Sequence, residues 1–220
     1  MTLRTFLLMQ TALICVFFRT HVTWSLPLTN ANALANHYVL KAKTLSKQHK
    51  KKDALIYYQK ALTFNPGSAR IVYAMAQICK DINLFERAAK LYNQAIALDP
   101  NNISILFDAA NMFTMLNEFD KALALYQKIL ILDAKAIEAL HNYAYALQKK
   151  GLIAQAIDIY LHIITKHPNY ALAHISLALA YLSVGDFEHG WQEYEWRWNI
   201  HKKEPKKLCT PPQKELLCTP

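Results

Sequence analysis

Apolar residues recur three or four positions apart over residues 71–80 and again over 85–98, with polar residues between them. That period predicts two amphipathic helices. Asn83 stands between them, where a residue that tolerates positive φ lets the chain reverse. The pattern then repeats. Pro66, Pro100, Ala134 and Pro168 are each 34 residues apart, and other columns keep the interval. Small residues recur at Ala54, Ala88, Ala122 and Ala156, and tyrosines at Tyr58, Tyr92, Tyr126 and Tyr160. A second small column runs Ala42, Ala76, Ala110, Ala144 and Ala178, and a turn column runs Asn83, Asn117, Gly151 and Gly185.

The columns have a physical reading. Ala76 and Ala88 suit the point where two helices cross, since a larger side chain would push the axes apart. Leu91 and Tyr92 fill the wider gap toward the next pair. Pro100 should end the second helix, because it lacks an N–H and clashes with the preceding turn. Ser68 and Asn102 stand where they can cap the helices that follow. One pair cannot bury both of its faces, so stacking on neighbours supplies the core. The expected fold class is all-α, a solenoid of about five helix–turn–helix units.

These columns resemble the tetratricopeptide repeat family, and the likeness spans about three quarters of the chain. Taking Pro66 as the thirty-second position of its unit, the repeats run roughly 35–68, 69–102, 103–136, 137–170 and 171–204. The resemblance implies a right-handed superhelix. The family's large aromatic near the start of the first helix appears as Tyr38, but is Val72, Leu106, Leu140 and His174 in later units. Ala134 replaces a proline, and Gly190 replaces the small-residue alanine of the last unit.

Composition narrows the picture. The chain is 53% hydrophobic with few glycines, enough for one repeat array over residues 26–204 and a short tail, 205–220, expected to be disordered. The formal charge of +9 gathers at Lys47, Lys50, Lys51 and Lys52, and at Lys202, Lys203, Lys206 and Lys207. The first group falls on a turn and the second in the tail. Neither forms the basic face with aromatic partners that nucleic acid would require, so no nucleic-acid role is expected. Residues 1–25 read as a signal peptide or an N-terminal anchor, with the apolar run 5–18 too short for an ordinary span. Export to a periplasmic or secreted location follows, with membrane contact only through that segment. Cys79 should be a buried hydrophobe, while Cys209 and Cys218 are close enough in the tail for a loop disulfide.

Catalytic constellations are missing. Glu138 and His141 form an E-x-x-H, but a di-metal bundle needs a second such pair and more carboxylates. Asp158 and His162 read as a surface pair. No phosphate-binding glycine loop, serine elbow or H-E-x-x-H occurs. The chain reads as a non-enzyme without cofactor or metal.

The family resemblance implies binding on the concave surface, lined by the second, fifth, ninth and twelfth positions of each repeat. Here these include Arg70, Tyr73, Gln77 and Lys80; Ser104, Phe107, Asn111 and Thr114; and Glu138, His141, Tyr145 and Gln148. Aromatic rings beside amides suit an extended peptide or a partner protein. The carboxylate clamp of chaperone-binding relatives is not reproduced. Nor is the asparagine ladder of repeat-bearing sugar transferases, whose column reads Leu40, Ala74, Asp108, Asn142 and Ser176. The expected function is therefore a protein-interaction scaffold.

Residues 185–198 resemble the segment that closes the repeat array in bacterial proteins with a C-terminal glycosyltransferase-like domain. The alternative function is accordingly the truncated or split repeat portion of such an enzyme. Phe187, Trp191, Tyr194 and Trp198 would share one helix face and form an aromatic cap on the last repeat. Trp191, Trp196 and Trp198 are alternatively a candidate docking surface. Leu172, Ile175, Leu179 and Leu182 give the last unit an apolar stripe.

Overall fold

The computed structural model of the chain describes residues 28–199. The leader 1–25, the lysines from Lys202 onward, and Cys209 and Cys218 lie outside the described residues. Those residues form ten α-helices and a terminal 3-10 turn, with no strand among them. The helices are α1 (Leu28–Lys47), α2 (Lys51–Phe64), α3 (Ala69–Asp81), α4 (Phe85–Leu98) and α5 (Ile103–Met115). They continue with α6 (Phe119–Leu132), α7 (Ile137–Lys149), α8 (Ile153–Lys166), α9 (Ala171–Ser183) and α10 (Phe187–Tyr194). None of them is long and apolar enough to cross a membrane. The chain divides into two compact units, Met1–Ile78 and Cys79–Pro220.

In the first unit α1 packs on α2. Ala35, Val39 and Ala42 of α1, and Ala54, Leu55, Tyr58 and Ala61 of α2, are buried at the expected helical spacing. Tyr38 stacks on Phe64 at 5.7 Å between ring centroids. His49 makes the turn between the two helices at φ 61°. It belongs to the turn column of the later repeats, an assignment that its side chain does not advertise.

The second unit is built from successive antiparallel neighbours, α5 on α6, α7 on α8 and α9 on α10, joined through α6–α7 and α8–α9 packing. Ala88, Ala110, Ala122, Ala144, Ala156 and Ala178 are fully enclosed, as crossing points require. Tyr92, Tyr126 and Tyr160 fill the space between pairs and are at most 1% exposed. Asn83, Asn117, Gly151 and Gly185 all have positive φ, from 59° to 92°. Each such turn closes in the same way: the N–H of Glu118 reaches the Phe113 carbonyl at 2.9 Å, and that of Leu152 reaches Leu147 at 2.9 Å. This six-to-one bond satisfies a carbonyl that the helix end would otherwise leave open.

Of the two expected caps, one holds and one changes. Asn102 caps α5, accepting from the Ile105 N–H at 3.3 Å, whereas Ser68 takes part through its carbonyl, accepting from Ile71 and Val72. The helix α6 stops at Leu132 without a proline. There the Asp133 carboxylate accepts the Lys135 N–H at 2.9 Å and turns the chain instead.

The aromatic cap is also different. The helix α10 ends at Tyr194 and the chain tightens into a 3-10 turn over Glu195–Asn199. Three residues per turn in place of 3.6 rotates Trp198 by about 80° from its helical position. Phe187, Trp191 and Trp198 are each about 60% exposed. The ring that packs inward is Trp196, stacked on His174 at 3.9 Å. Gly190 is buried because α10 lies close on α9: a Cβ there would sit 2.7 Å from the Leu182 side chain. That contact explains why glycine replaces alanine in this column.

Candidate binding face of the second unit

The odd-numbered helices α5, α7 and α9 carry the candidate site, and their polar side chains are connected. Asn111 on α5 accepts two hydrogen bonds on its Oδ1, from Tyr126 Oη at 2.6 Å and from Asn142 Nδ2 of α7 at 2.9 Å. Asn142 Oδ1 lies 3.1 Å from His141 Nδ1, and His141 Nε2 lies 2.9 Å from Ser176 Oγ on α9. A carboxamide oxygen can only accept, so Nδ1 carries the imidazole hydrogen and the Ser176 hydroxyl donates to Nε2. Burial lowers the His141 pKa from its ordinary value, while the hydrogen bonds to Asn142 and to the Leu172 backbone partly raise it. The neutral imidazole fits this network.

The chain Tyr126–Asn111–Asn142–His141–Ser176 thus links three helices through side chains alone. Tyr160 Oη donates to Gln148 at 3.2 Å, and Gln127 Nε2 donates to Tyr143 at 3.0 Å. Burial pushes the Tyr126 hydroxyl up to about 12, with hydrogen bonding to Thr114 and Asn142 opposing it, so it stays a donor at neutral pH. Donors remain for a visitor. Asn111 spends only its oxygen internally, which leaves its amide N–H groups on a half-buried side chain.

The structure brings Asn111, His141 and Gln148 into this polar system. Phe107 is half-buried and lies edge-on to Tyr126 at 6.3 Å, acting as packing as much as surface. Tyr145 is the open ring of the set, 40% exposed with the Lys149 ammonium 5.3 Å from its centroid. Arg70 (exposed), Tyr73 and Gln77 (both half-buried) lie on α3 within the first unit. Lys80 pairs with Asp108 at 3.8 Å. Glu138 takes no part in a metal-ligating group: among the described residues no three His, Cys, Asp or Glu side chains converge. Among the described residues, Asp158 and His162 have no ion-pair partner.

Sequence reasoning passed over Asn142 and Ser176, which it read only as a broken ladder, and over the hydroxyls of Tyr126 and Tyr160. The signal was available, because a tyrosine at a fully buried repeat position needs a partner for its hydroxyl. His174 was likewise read only as a missing aromatic. It is 5% exposed, with Nδ1 2.5 Å from Glu193 and Nε2 2.9 Å from the Pro168 carbonyl. It ties α10 to α9 while Trp196 covers its face.

Sequence profiles described as tetratricopeptide repeat match residues 39–103 and 73–137, and a further one matches 138–170. No curated protein sequence matches the chain. A crystal structure of MamA superposes with TM-score 0.65 at 18% identity, covering 72% of this chain and 92% of that one. A MamA fragment from Desulfovibrio magneticus RS-1 gives 0.68 at 14% identity, covering 76% and 97%. YrrB, described as a TPR protein with an unusual peptide-binding site, gives 0.63 at 19%, covering 74% and 84%. These likenesses concern the fold. With the spacing, the Schellman turns and the matching profiles in agreement, the chain is a tetratricopeptide repeat protein.

Proposed function

We propose that the chain is a non-catalytic interaction scaffold that holds an extended peptide segment of a partner protein along α5, α7 and α9. The observation that carries this reading is the side-chain network through Asn111, Asn142, His141 and Ser176. It fixes two carboxamides in place and leaves N–H donors over, the arrangement that extended peptide carbonyls need. Because the amides are already held by internal bonds, little side-chain entropy is lost on binding. Tyr145 beside them offers an amphipathic ring for a ligand side chain. The peptide-binding description of the YrrB fold neighbour supports the same reading.

The test is capture of peptides from a random displayed library by the whole chain. Tyr145→Ala and Asn111→Ala should each weaken the recovered peptides, an anchor ring being worth about 2 kcal/mol on truncation. Far-ultraviolet circular dichroism checks that both variants keep their helicity. Capture that survives both changes but disappears in Trp191→Ala or Trp198→Ala overturns the reading and moves the interface to α10.

A further inference from the structure

One feature of the second unit is not used by that face. Where the chain passes from α6 into α7, beside the end of α8, lies a pocket of about 530 Å3. Ligand pockets commonly span roughly 300–1,000 Å3. Ile137 and Leu140 of α7 make its floor, with the enclosed Ile163 of α8 behind them. Lys135, Lys166, His162 and His167 stand on its rim, and no carboxylate lines it. All four rim residues are exposed. Among the described residues, neither Lys135 nor Lys166 is engaged by an Asp or Glu side chain, although Lys80, Lys121 and Lys150 are. A shallower depression continues from it, sharing Ile137, Lys166 and His167.

The repeat pattern departs from its column at this pocket. Ala134 lines the pocket, and it occupies the column that holds Pro66, Pro100 and Pro168 elsewhere. The pyrrolidine ring of a proline would project two more carbons into the turn. The smaller residue leaves that volume empty beside the partly exposed Ile137 and Leu140 and beneath a cationic rim.

We propose that this pocket is a second ligand site, for an alkyl carboxylate of medium chain length. The tail would cover Ile137 and Leu140, and the single anionic head would lie between the Lys135 and Lys166 ammonium groups. Neither element is sufficient alone. An apolar floor without charge gives no orientation, and exposed lysines without a floor bind small anions weakly. The combination selects an amphiphilic anion over both a neutral amphiphile and a bare carboxylate.

The experiment is titration of the whole chain with sodium decanoate, followed by calorimetry and by amide chemical shifts, with decanol and acetate as comparison probes. Saturable one-to-one binding of decanoate is expected, at least tenfold tighter than either comparison probe. Ala134→Pro should abolish it while keeping the melting temperature, since the column accepts proline and the Ala134 N–H donates no backbone hydrogen bond. Lys135→Gln and Lys166→Gln, which leave the turn intact, should each weaken binding about fivefold, the upper range for an exposed ion pair. Absence of decanoate binding overturns the proposal, as does decanol binding equally well. Unchanged affinity in both the proline and the lysine variants also overturns it, by placing any bound decanoate elsewhere.

Discussion

The middle of the second unit and its C-terminal end solve the same problem with opposite means. In the middle, the polar chain from Asn111 through Asn142 and His141 to Ser176 runs across α5, α7 and α9, while enclosed alanines set the helix spacing. At the end, one buried imidazole does the work. His174 is held on both ring nitrogens, by Glu193 and the Pro168 carbonyl, and covered by Trp196. The remaining large rings, Phe187, Trp191 and Trp198, face outward. Aromatic richness is thus a poor guide to packing where a helix gives way to a 3-10 turn. Arg197 lies over both Tyr194 and Trp198 at 4.7 Å, so even the outward ring has a cationic neighbour.

The strongest way to break this contrast is to overfill the middle. Ala110→Trp should destabilise the chain by about 1–3 kcal/mol or more, because Ala110 is completely enclosed and its neighbours must move. Chemical denaturation measures it, and a variant that unfolds like the parent would mean that the small column does not mark the crossing points. At the other end, Trp196→Ala should cost about 2 kcal/mol, less than a fully buried tryptophan because its ring is only half covered. Trp191→Ala should change stability by less than about 0.5 kcal/mol, as an exposed substitution does. Equal losses for the two would restore the simple aromatic cap.

Smaller effects sharpen the polar side. Asn142→Ala removes bonds to both Asn111 and His141, and should cost about 1 kcal/mol with helicity retained. Double-mutant cycles with Asn111→Ala would then show coupling, whereas cycles with Trp196→Ala would be additive.

The smallest effect expected is on pH. The folded His141 pKa is lowered, so the folded state prefers the neutral ring while the unfolded chain titrates near about 6.5. Between those two values the unfolded state binds more protons, so stability rises with pH. The contribution is complete above the unfolded value and is lost as pH drops toward the folded one. Thermal melts at neutral and mildly acidic pH, compared with a His141→Asn variant, isolate it. A larger acid loss in the variant than in the parent would contradict the assignment.

Sequence alone determined the helix positions and the turns. The paired helices over 69–81 and 85–98 lie where the apolar period puts them, because burial of one face is a local property of spacing. The turn column worked because positive φ depends on the residue itself, although His49 shows a side chain that the surrounding helices override. Half of the site was legible in the same way, since Asn111, His141 and Gln148 occupy inner-face positions of the repeat. Their partners were not legible. Asn142 reaches Asn111 only after α7 packs beside α5, and Ser176 reaches His141 only after α9 packs beside α7. Likewise, that Trp196 turns inward and Ala134 lines a pocket depends on how the ends of neighbouring helices fit together. Periodicity reports which face is buried; only the packed structure decides which side chain on that face finds a partner, because the partner comes from a different helix.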